Sequence, residues 1–118
     1  MGNELDAPSP WNATLAATLP GKLLLVGLTY LDADGALIDK QQFFGRVMTA
    51  TPRAGILLLL EGRRGGERYA LPPDTRSFRR AKPGEYRLQA TGEVVINPDY
   101  TVTFSIRKRP DHASATIH

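Results

Sequence analysis

The chain has 118 residues, of which 42% are hydrophobic and 23% are charged, with a net charge of +3 and no cysteine. This length allows one domain with one core, and the composition is that of a globular chain rather than a disordered one. The absence of cysteine excludes a disulfide framework and a thiol nucleophile, and the longest apolar runs are far shorter than the ~18 residues of a membrane-spanning helix.

The N-terminal sequence favours a cytoplasmic protein. It begins with the acidic stretch MGNELD and lacks the continuous hydrophobic region of a secretory signal. A cysteine-free chain also suits a reducing compartment. We therefore expect a protein of the bacterial cytoplasm that does not bind membranes.

Residues 1–21 are predicted to form an arm with a short helix. Ser9 is the predicted cap, with Pro10 at the first helical position. Trp11, Leu15 and Leu19 are spaced to share one face of that helix. We expect this face to pack on the main domain, with contact to a partner as the alternative.

From Leu23 onward, short apolar runs alternate with turn residues. The run Leu23 to Leu31 is followed by DADG (residues 32–35), a hairpin signal, and then by a long strand in which Gly45 is the predicted bend. The sequence RRGG (residues 63–66) predicts a second hairpin. Between Pro73 and Pro83 there is room for one helical turn, near 74–81, with Asp74 or Thr75 as its cap.

The C-terminal third predicts three more strands. Tyr86, Leu88, Val94 and Ile96 are predicted to be interior, and from Tyr100 onward apolar and polar residues alternate with a period of two. The pattern predicts an all-β fold: a single small SH3-like or Sm-like barrel, or a half-open antiparallel sheet, of about six or seven strands. The predicted organisation is an arm (1–21), a β domain (22–109) and a flexible tail (110–118).

The sequence lacks the usual groups of a catalytic or metal site. Its two histidines, His112 and His118, lie in the predicted tail, so no histidine pair is spaced to hold zinc. The DADG stretch lacks the glycine position and the twelfth-position glutamate of a calcium loop. The EGRRGGE stretch lacks the ending of a phosphate-binding loop. We predict a protein that is not an enzyme and holds neither cofactor nor metal.

Charge is distributed unevenly along the chain. The basic segment, residues 63–87, holds eight basic and three acidic residues, whereas residues 1–39 hold five acidic residues and one lysine. If the predicted helical turn forms, Arg76, Arg79 and Arg80 share one face that could bind carboxylates or phosphates. A solvated surface without a specific ligand is the alternative interpretation of this segment.

Nucleic-acid binding is one functional interpretation of the basic segment. A small barrel that reads RNA or DNA interleaves exposed aromatic side chains with its basic residues. Tyr69, Phe78 and Tyr86 lie in this segment, although each also suits a core position. An exposed strand edge used for self-association is a further possibility.

Three stretches carry a resemblance to a known group of proteins: GKLLLVGLTYLDADG (21–35), RYALPPD (68–74) and AKPGEYRLQATGEVVINPDYTVTF (81–104). Together they resemble small bacterial all-β proteins, some of which are similar to immunity proteins of contact-dependent growth inhibition toxin systems. The resemblance covers residues 21–107.

This resemblance implies a non-catalytic protein that neutralises the C-terminal toxin domain, often a nuclease, of an exported effector. It implies a monomer that joins its toxin in a heterodimer. A nuclease is basic in its cleft, so Asp32, Asp34 and Asp39 are the first predicted contact residues. Arg76, Arg79 and Arg80 are the second set. Binding of RNA or DNA through the basic segment is the alternative function.

Overall fold

The computed structural model describes residues 10–107 as a chain of short strands. One short helix, α1 (Ala13–Ala17), precedes them. A 3₁₀ turn (Gly62–Arg64) interrupts them. The strands are β1 (Leu23–Leu31), β2 (Leu37–Thr51), β3 (Gly55–Leu60), β4 (Arg68–Leu71), β5 (Phe78–Arg80), β6 (Glu85–Arg87), β7 (Val94–Ile96) and β8 (Tyr100–Arg107).

Six strands form one open sheet in the order β4-β3-β2-β1-β8-β5, and β6 and β7 form a separate pair. Neighbouring strands run antiparallel except for β1 and β8, which are parallel. The all-β prediction is confirmed, with eight strands in the described chain. The sheet does not close, so the half-open alternative describes it better than the barrel.

Alternation along β1 divides its side chains between two packed layers. Leu24, Val26 and Leu28 belong to the larger core, whereas Leu23 and Leu25 pack into a smaller one. Successive side chains of a strand point to opposite faces, so β1 contributes to both layers. We call the side of Leu24 the core face of the sheet, and the side of Leu25 the outer face.

The sheet curls around its core face. Tyr69 on β4 lies close to Tyr30 on β1, and its ring centroid lies 4.9 Å from that of Phe43 on β2. In a flat sheet, β4 and β1 would be about 14 Å apart, because three inter-strand spacings separate them. Burial and the nearby Tyr30 raise the pKa of Tyr69. The contact therefore marks a half-barrel rather than a flat sheet.

The hairpin of β6 and β7 covers part of the outer face. Its Leu88 and Val95 are fully buried and pack with Leu23. The prediction for Leu88 is correct, whereas Val94 and Ile96 are exposed and were wrongly predicted to be interior. Successive side chains of a strand point to opposite faces. Val95 therefore faces the core, whereas its neighbours Val94 and Ile96 face solvent.

Both predicted hairpins are confirmed, but β2 has no bulge at Gly45, and its bulge against β3 lies further along the strand. Val47 pairs with Leu58 and Thr49 with Leu57, so the extra residue is Met48. Gly45 keeps a regular register, and a Cβ there would lie 2.5 Å from the carbonyl oxygen of Leu59. Glycine at this position therefore permits close backbone approach rather than a bend.

The arm packs on the core face, as predicted, through Trp11, Leu15 and the fully buried Leu19. The helix is capped by Asn12, whose side-chain oxygen accepts a hydrogen bond from the Leu15 amide at 3.0 Å. The predicted cap, Ser9, precedes the described residues. Asn12 is therefore the N-cap of α1, which begins at Ala13.

A buried threonine fastens the arm to the loop between β4 and β5. The hydroxyl of Thr75 accepts a hydrogen bond from the Asn12 amide at 2.9 Å and donates one to the Pro10 carbonyl at 3.2 Å. The Thr75 amide donates to the same carbonyl at 2.8 Å. Thr75 is 6% exposed and is thus a structural clamp.

The helical turn predicted near 74–81 is wrong. Phe78–Arg80 forms β5, in which Phe78 pairs with Val102 of β8 and is buried in the larger core. Thr75 is held by the arm instead of capping a helix. Burial of Phe78 in the sheet therefore prevails over the local preference for a turn of helix.

Removing the Thr75 hydroxyl should loosen the arm. In Thr75→Val the Asn12 amide is left without its acceptor, which should lower the free energy of unfolding by about 1 to 3 kcal/mol. Thr49→Val, at an exposed position of β2, is the matched control and should change it by less than about 0.5 kcal/mol. Urea unfolding measures both, and equal effects of the two variants would contradict the clamp.

Candidate partner-binding site

The β1–β2 hairpin extends beyond the points at which the outer strands β3 and β5 stop pairing with the sheet. β3 pairs with β2 only from Gly45 onward, and β5 pairs with β8 only as far as Val102. Within the described chain, β2, β1 and β8 therefore continue as a three-stranded ribbon towards residues 32–39. We call residues 32–39 the hairpin tip.

The carboxylate of Asp32 builds the turn of the tip. Its Oδ1 accepts hydrogen bonds from the amides of Asp34 and Ala36, both at 2.9 Å. Arg107 of β8 donates to the carbonyl oxygens of Ala33 at 2.8 Å and Asp32 at 3.4 Å, which fastens the turn to the neighbouring strand. Asp32 thus acts as a local turn former.

The other two predicted acidic residues of the tip, Asp34 and Asp39, are exposed. Asp39 pairs with Tyr30 in the β1–β2 register, and its Oδ1 accepts only from the adjacent Lys40 amide at 2.8 Å among the described contacts. Residues 32–39 contain three aspartates and no basic residue, and the nearby cations are Arg107, which is bound to the turn carbonyls, and Lys40. The exposed carboxylates of Asp34 and Asp39 are therefore placed to meet a basic partner.

Two large apolar side chains accompany these carboxylates. Leu37 is 59% exposed and Ile38 is 49% exposed. The β1–β2 register passes from Tyr30–Asp39 to Leu31–Leu37, so Ile38 is an extra residue in a bulge. A bulge redirects side chains, which explains why neither residue enters the core.

Sequence reasoning missed Leu37 and Ile38. The signal that could have found them is their adjacency, because two neighbouring apolar residues in a strand cannot both occupy the same packed face. Their position beside three aspartates was also visible in the sequence. An apolar pair with an acidic rim resembles the anatomy of a protein interface.

The predicted three-arginine face is not formed, although Arg76 and Arg79 line the same open groove beside β8. Arg79 and Arg80 are adjacent in β5 and therefore point to opposite faces, and Arg76 lies in the preceding turn. Arg79 donates to the carbonyl oxygens of Arg76 and Phe78 at 3.0 and 3.1 Å. The guanidinium carbon of Arg80 lies 5.9 Å from the centroid of the Tyr100 ring. The helical face on which these residues were expected to converge does not exist.

Arg76 is also partly neutralised within the chain. Its guanidinium contacts Asp74 with N···O distances of 2.7 to 3.2 Å. The hydrogen bond from the Arg76 side chain lowers the pKa of Asp74, and the same pairing raises the pKa of Arg76. Because the pair is exposed, we assign it little stability, and its main effect is on charge.

Several other parts of the basic segment serve the fold. Arg64 pairs with Glu67 at 2.9 Å, and its guanidinium carbon lies 4.8 Å from the centroid of the Phe43 ring. Phe78 is buried, and the Tyr86 hydroxyl donates to the Lys82 carbonyl at 2.6 Å. These contacts use residues that a nucleic-acid surface would need free.

No protein-family model, curated protein or solved structure matches this chain. Between Pro10 and Arg107, no helix is long and apolar enough to cross a membrane. In the same range, no group of three or more His, Cys, Asp or Glu side chains could hold a metal ion.

The Asp74–Arg76 pair predicts an acid-dependent contribution to stability. Because the folded pKa of Asp74 is lowered, this contribution is complete above the pKa of unfolded aspartate and is lost as the pH falls through the folded pKa. Arg76→Gln should return the Asp74 pKa towards its ordinary value, as measured by NMR titration. Arg87→Gln, on the separate β6–β7 pair, should leave it unchanged; an Asp74 pKa insensitive to Arg76→Gln would contradict the pairing.

Proposed function

We propose that this chain is a non-catalytic immunity-type protein that binds and neutralises the C-terminal toxin domain of an exported effector. The proposal combines the sequence resemblance with the composition of the hairpin tip. The single observation that carries it is the exposure of Leu37 and Ile38 between Asp34 and Asp39. Exposed apolar side chains add to the binding free energy when a partner covers them, and the neighbouring carboxylates favour a partner of opposite charge.

The tip suits a basic cleft in shape as well as in charge. It is the narrow end of a hairpin, so it can enter a cleft that a flat surface could only cover. The internal hydrogen bonds of Asp32 and the contacts from Arg107 hold the turn in place before binding. A preorganised segment loses less conformational freedom on association. Such a tip would block an active site without chemistry of its own.

The three predicted aspartates should differ in importance. Asp32 is committed to the turn, so its replacement would alter the tip as well as its charge. Asp34 and Asp39 can change sign without breaking a side-chain hydrogen bond to another element of the described chain. Of the predicted residues, Asp34 and Asp39 are thus the informative ones, and we add Leu37 and Ile38 to them.

Binding of RNA or DNA through the basic segment is the alternative, and it receives less support. Two of its arginines are paired with carboxylates, and the aromatic rings of the segment pack inward or against neighbours. This alternative predicts that binding weakens steeply as the salt concentration rises. In a plot of the logarithm of the binding constant against the logarithm of the salt concentration, each replaced phosphate-binding arginine should make the slope less steep by about one unit. Salt-insensitive or absent binding would exclude it.

The first test is affinity capture of the tagged protein from its source cells, with and without nuclease treatment. The proposal predicts recovery of the C-terminal region of a large exported protein, unaffected by nuclease. Recovery only of RNA-bound proteins that disappear after nuclease treatment would favour the alternative. Failure to bind or to protect against a toxin domain encoded beside the gene would refute the proposal.

Charge reversal at the tip should slow association. Asp34→Lys and Asp39→Lys each remove a favourable long-range interaction with a basic cleft, and we expect about tenfold slower association for the double variant at low salt. Surface plasmon resonance measures the rates. Glu85→Lys, an exposed acid on β6, is the control and should leave the association rate unchanged.

Truncation of the apolar pair should speed dissociation instead. Leu37→Ser and Ile38→Ser should each weaken binding by about 1 to 3 kcal/mol, mainly through the dissociation rate. Leu59→Ser is the matched control, because Leu59 is also an exposed leucine, at 40%, but lies on β3. If Leu59→Ser weakened binding as much as Leu37→Ser, the tip would not be the contact surface.

A further inference from the structure

Gly27 is a glycine in the middle of β1 that the fold does not explain. It pairs in regular register with Gln42 of β2 and Thr103 of β8, so no bulge occurs there. A Cβ at this position would meet only the Thr103 hydroxyl oxygen within 4 Å, at 3.9 Å, whereas at Gly45 it would collide with backbone. Its backbone conformation is one that other residues adopt.

Glycine in the interior of a strand weakens it, because it has the most conformational freedom to lose and packs no side chain. A strand glycine without a bulge or a close backbone neighbour in the chain points to something else that approaches the strand. For Gly27, that approach must come from the outer face, since its neighbours Val26 and Leu28 fill the core face.

The outer face above Gly27 holds a groove of about 470 Å³. Gly27 forms part of its floor, and its lining includes Thr29, Lys40, Gln42, Gln89 and Thr103. The turn after β6 forms one wall and is fixed by a hydrogen bond of 2.9 Å from the Gln89 amide to Oε1 of Gln42. This volume lies in the range of small-ligand sites.

The groove combines one cation with side chains that can donate hydrogen bonds, and its acceptors are neutral carboxamide and hydroxyl oxygens. Oε1 of Gln42 is occupied by the Gln89 amide, which leaves the Nε2 group of Gln42 to donate. Lys40 donates only, and the hydroxyls of Thr29 and Thr103 can donate as well. None of the described residues that line the groove is acidic, and Asp39, next to Lys40 in β2, points to the other face.

We propose that this groove binds a carboxylate-bearing group, with Gly27 leaving the space for it. The lysine supplies the charge, and the amide and hydroxyl groups supply directed hydrogen bonds to the carboxylate oxygens. The carboxylate comes either from a small organic acid or from a glutamate side chain of a bound protein. This inference is independent of the proposed function, because it concerns a different surface and needs no toxin.

The test is an NMR titration of the full chain with two probes. One is glutarate, a free dicarboxylic acid, and the other is a tripeptide blocked at both ends whose only charge is a glutamate side chain. We expect saturable shifts of the Gly27, Gln42 and Gln89 amides with a dissociation constant on the order of 1 mM. Binding of glutarate alone identifies a small acid as the ligand, and binding of the tripeptide identifies a protein side chain.

Two variants and two controls connect binding to the groove. Gly27→Val fills the floor, and Lys40→Met removes the charge; each should weaken binding by about tenfold or more. Lys82→Met, an exposed lysine in the loop before β6, should have no effect. The same tripeptide with glutamine in place of glutamate should not bind. If Gly27→Val does not fold, Lys40→Met still decides the outcome.

Three results would overturn the inference. The first is the absence of saturable shifts with either probe, and the second is equal binding of the glutamine tripeptide. The third is binding that neither Gly27→Val nor Lys40→Met weakens. None of these results bears on toxin binding, and failure to find a toxin leaves the titration unchanged.

Discussion

The pairing of β1 along both of its edges is the constraint on which the rest of the structure depends. Its antiparallel contact with β2 and its parallel contact with β8 fix one register for three strands. The parallel pairing begins at Asp99, whose carboxylate accepts from the Leu23 amide and whose own amide donates to the Leu23 carbonyl, both at 2.8 Å. A slip of one residue would exchange the two faces of the sheet.

The same alternation positions the candidate sites. Leu24, Val26 and Leu28 fill the core face, so Gly27 must lie on the outer face, where the β6–β7 hairpin forms a wall. The three central strands also extend beyond their outer neighbours, which leaves the hairpin tip exposed at one end of the sheet. The packing of the core therefore determines where the groove and the tip lie.

Local sequence patterns predicted the all-β class, both hairpins and the two-residue period of β8. These patterns gave wrong predictions where tertiary contacts determine the secondary structure. Asp74 and Thr75 look like helix caps, but the arm takes Thr75 and the core takes Phe78, so a strand forms. Spacing alone cannot reveal that β8 runs parallel to β1 or that the sheet stays open, because both depend on contacts between distant segments. The acidic residues of the tip were found from charge, whereas Leu37 and Ile38 were missed although their adjacency in the sequence was a usable signal, and their exposure in the structure identifies them.

Methyl cross-saturation NMR of the complex with the toxin domain would show directly whether the hairpin tip is the contact surface. In this measurement, saturation of the partner's protons attenuates the methyl signals that lie at the interface. We predict strong attenuation for Leu37 and Ile38 and little for Leu59, which is similarly exposed but lies on β3. Unattenuated methyl signals at Leu37 and Ile38 in a saturated complex would contradict this prediction and would move the contact surface elsewhere.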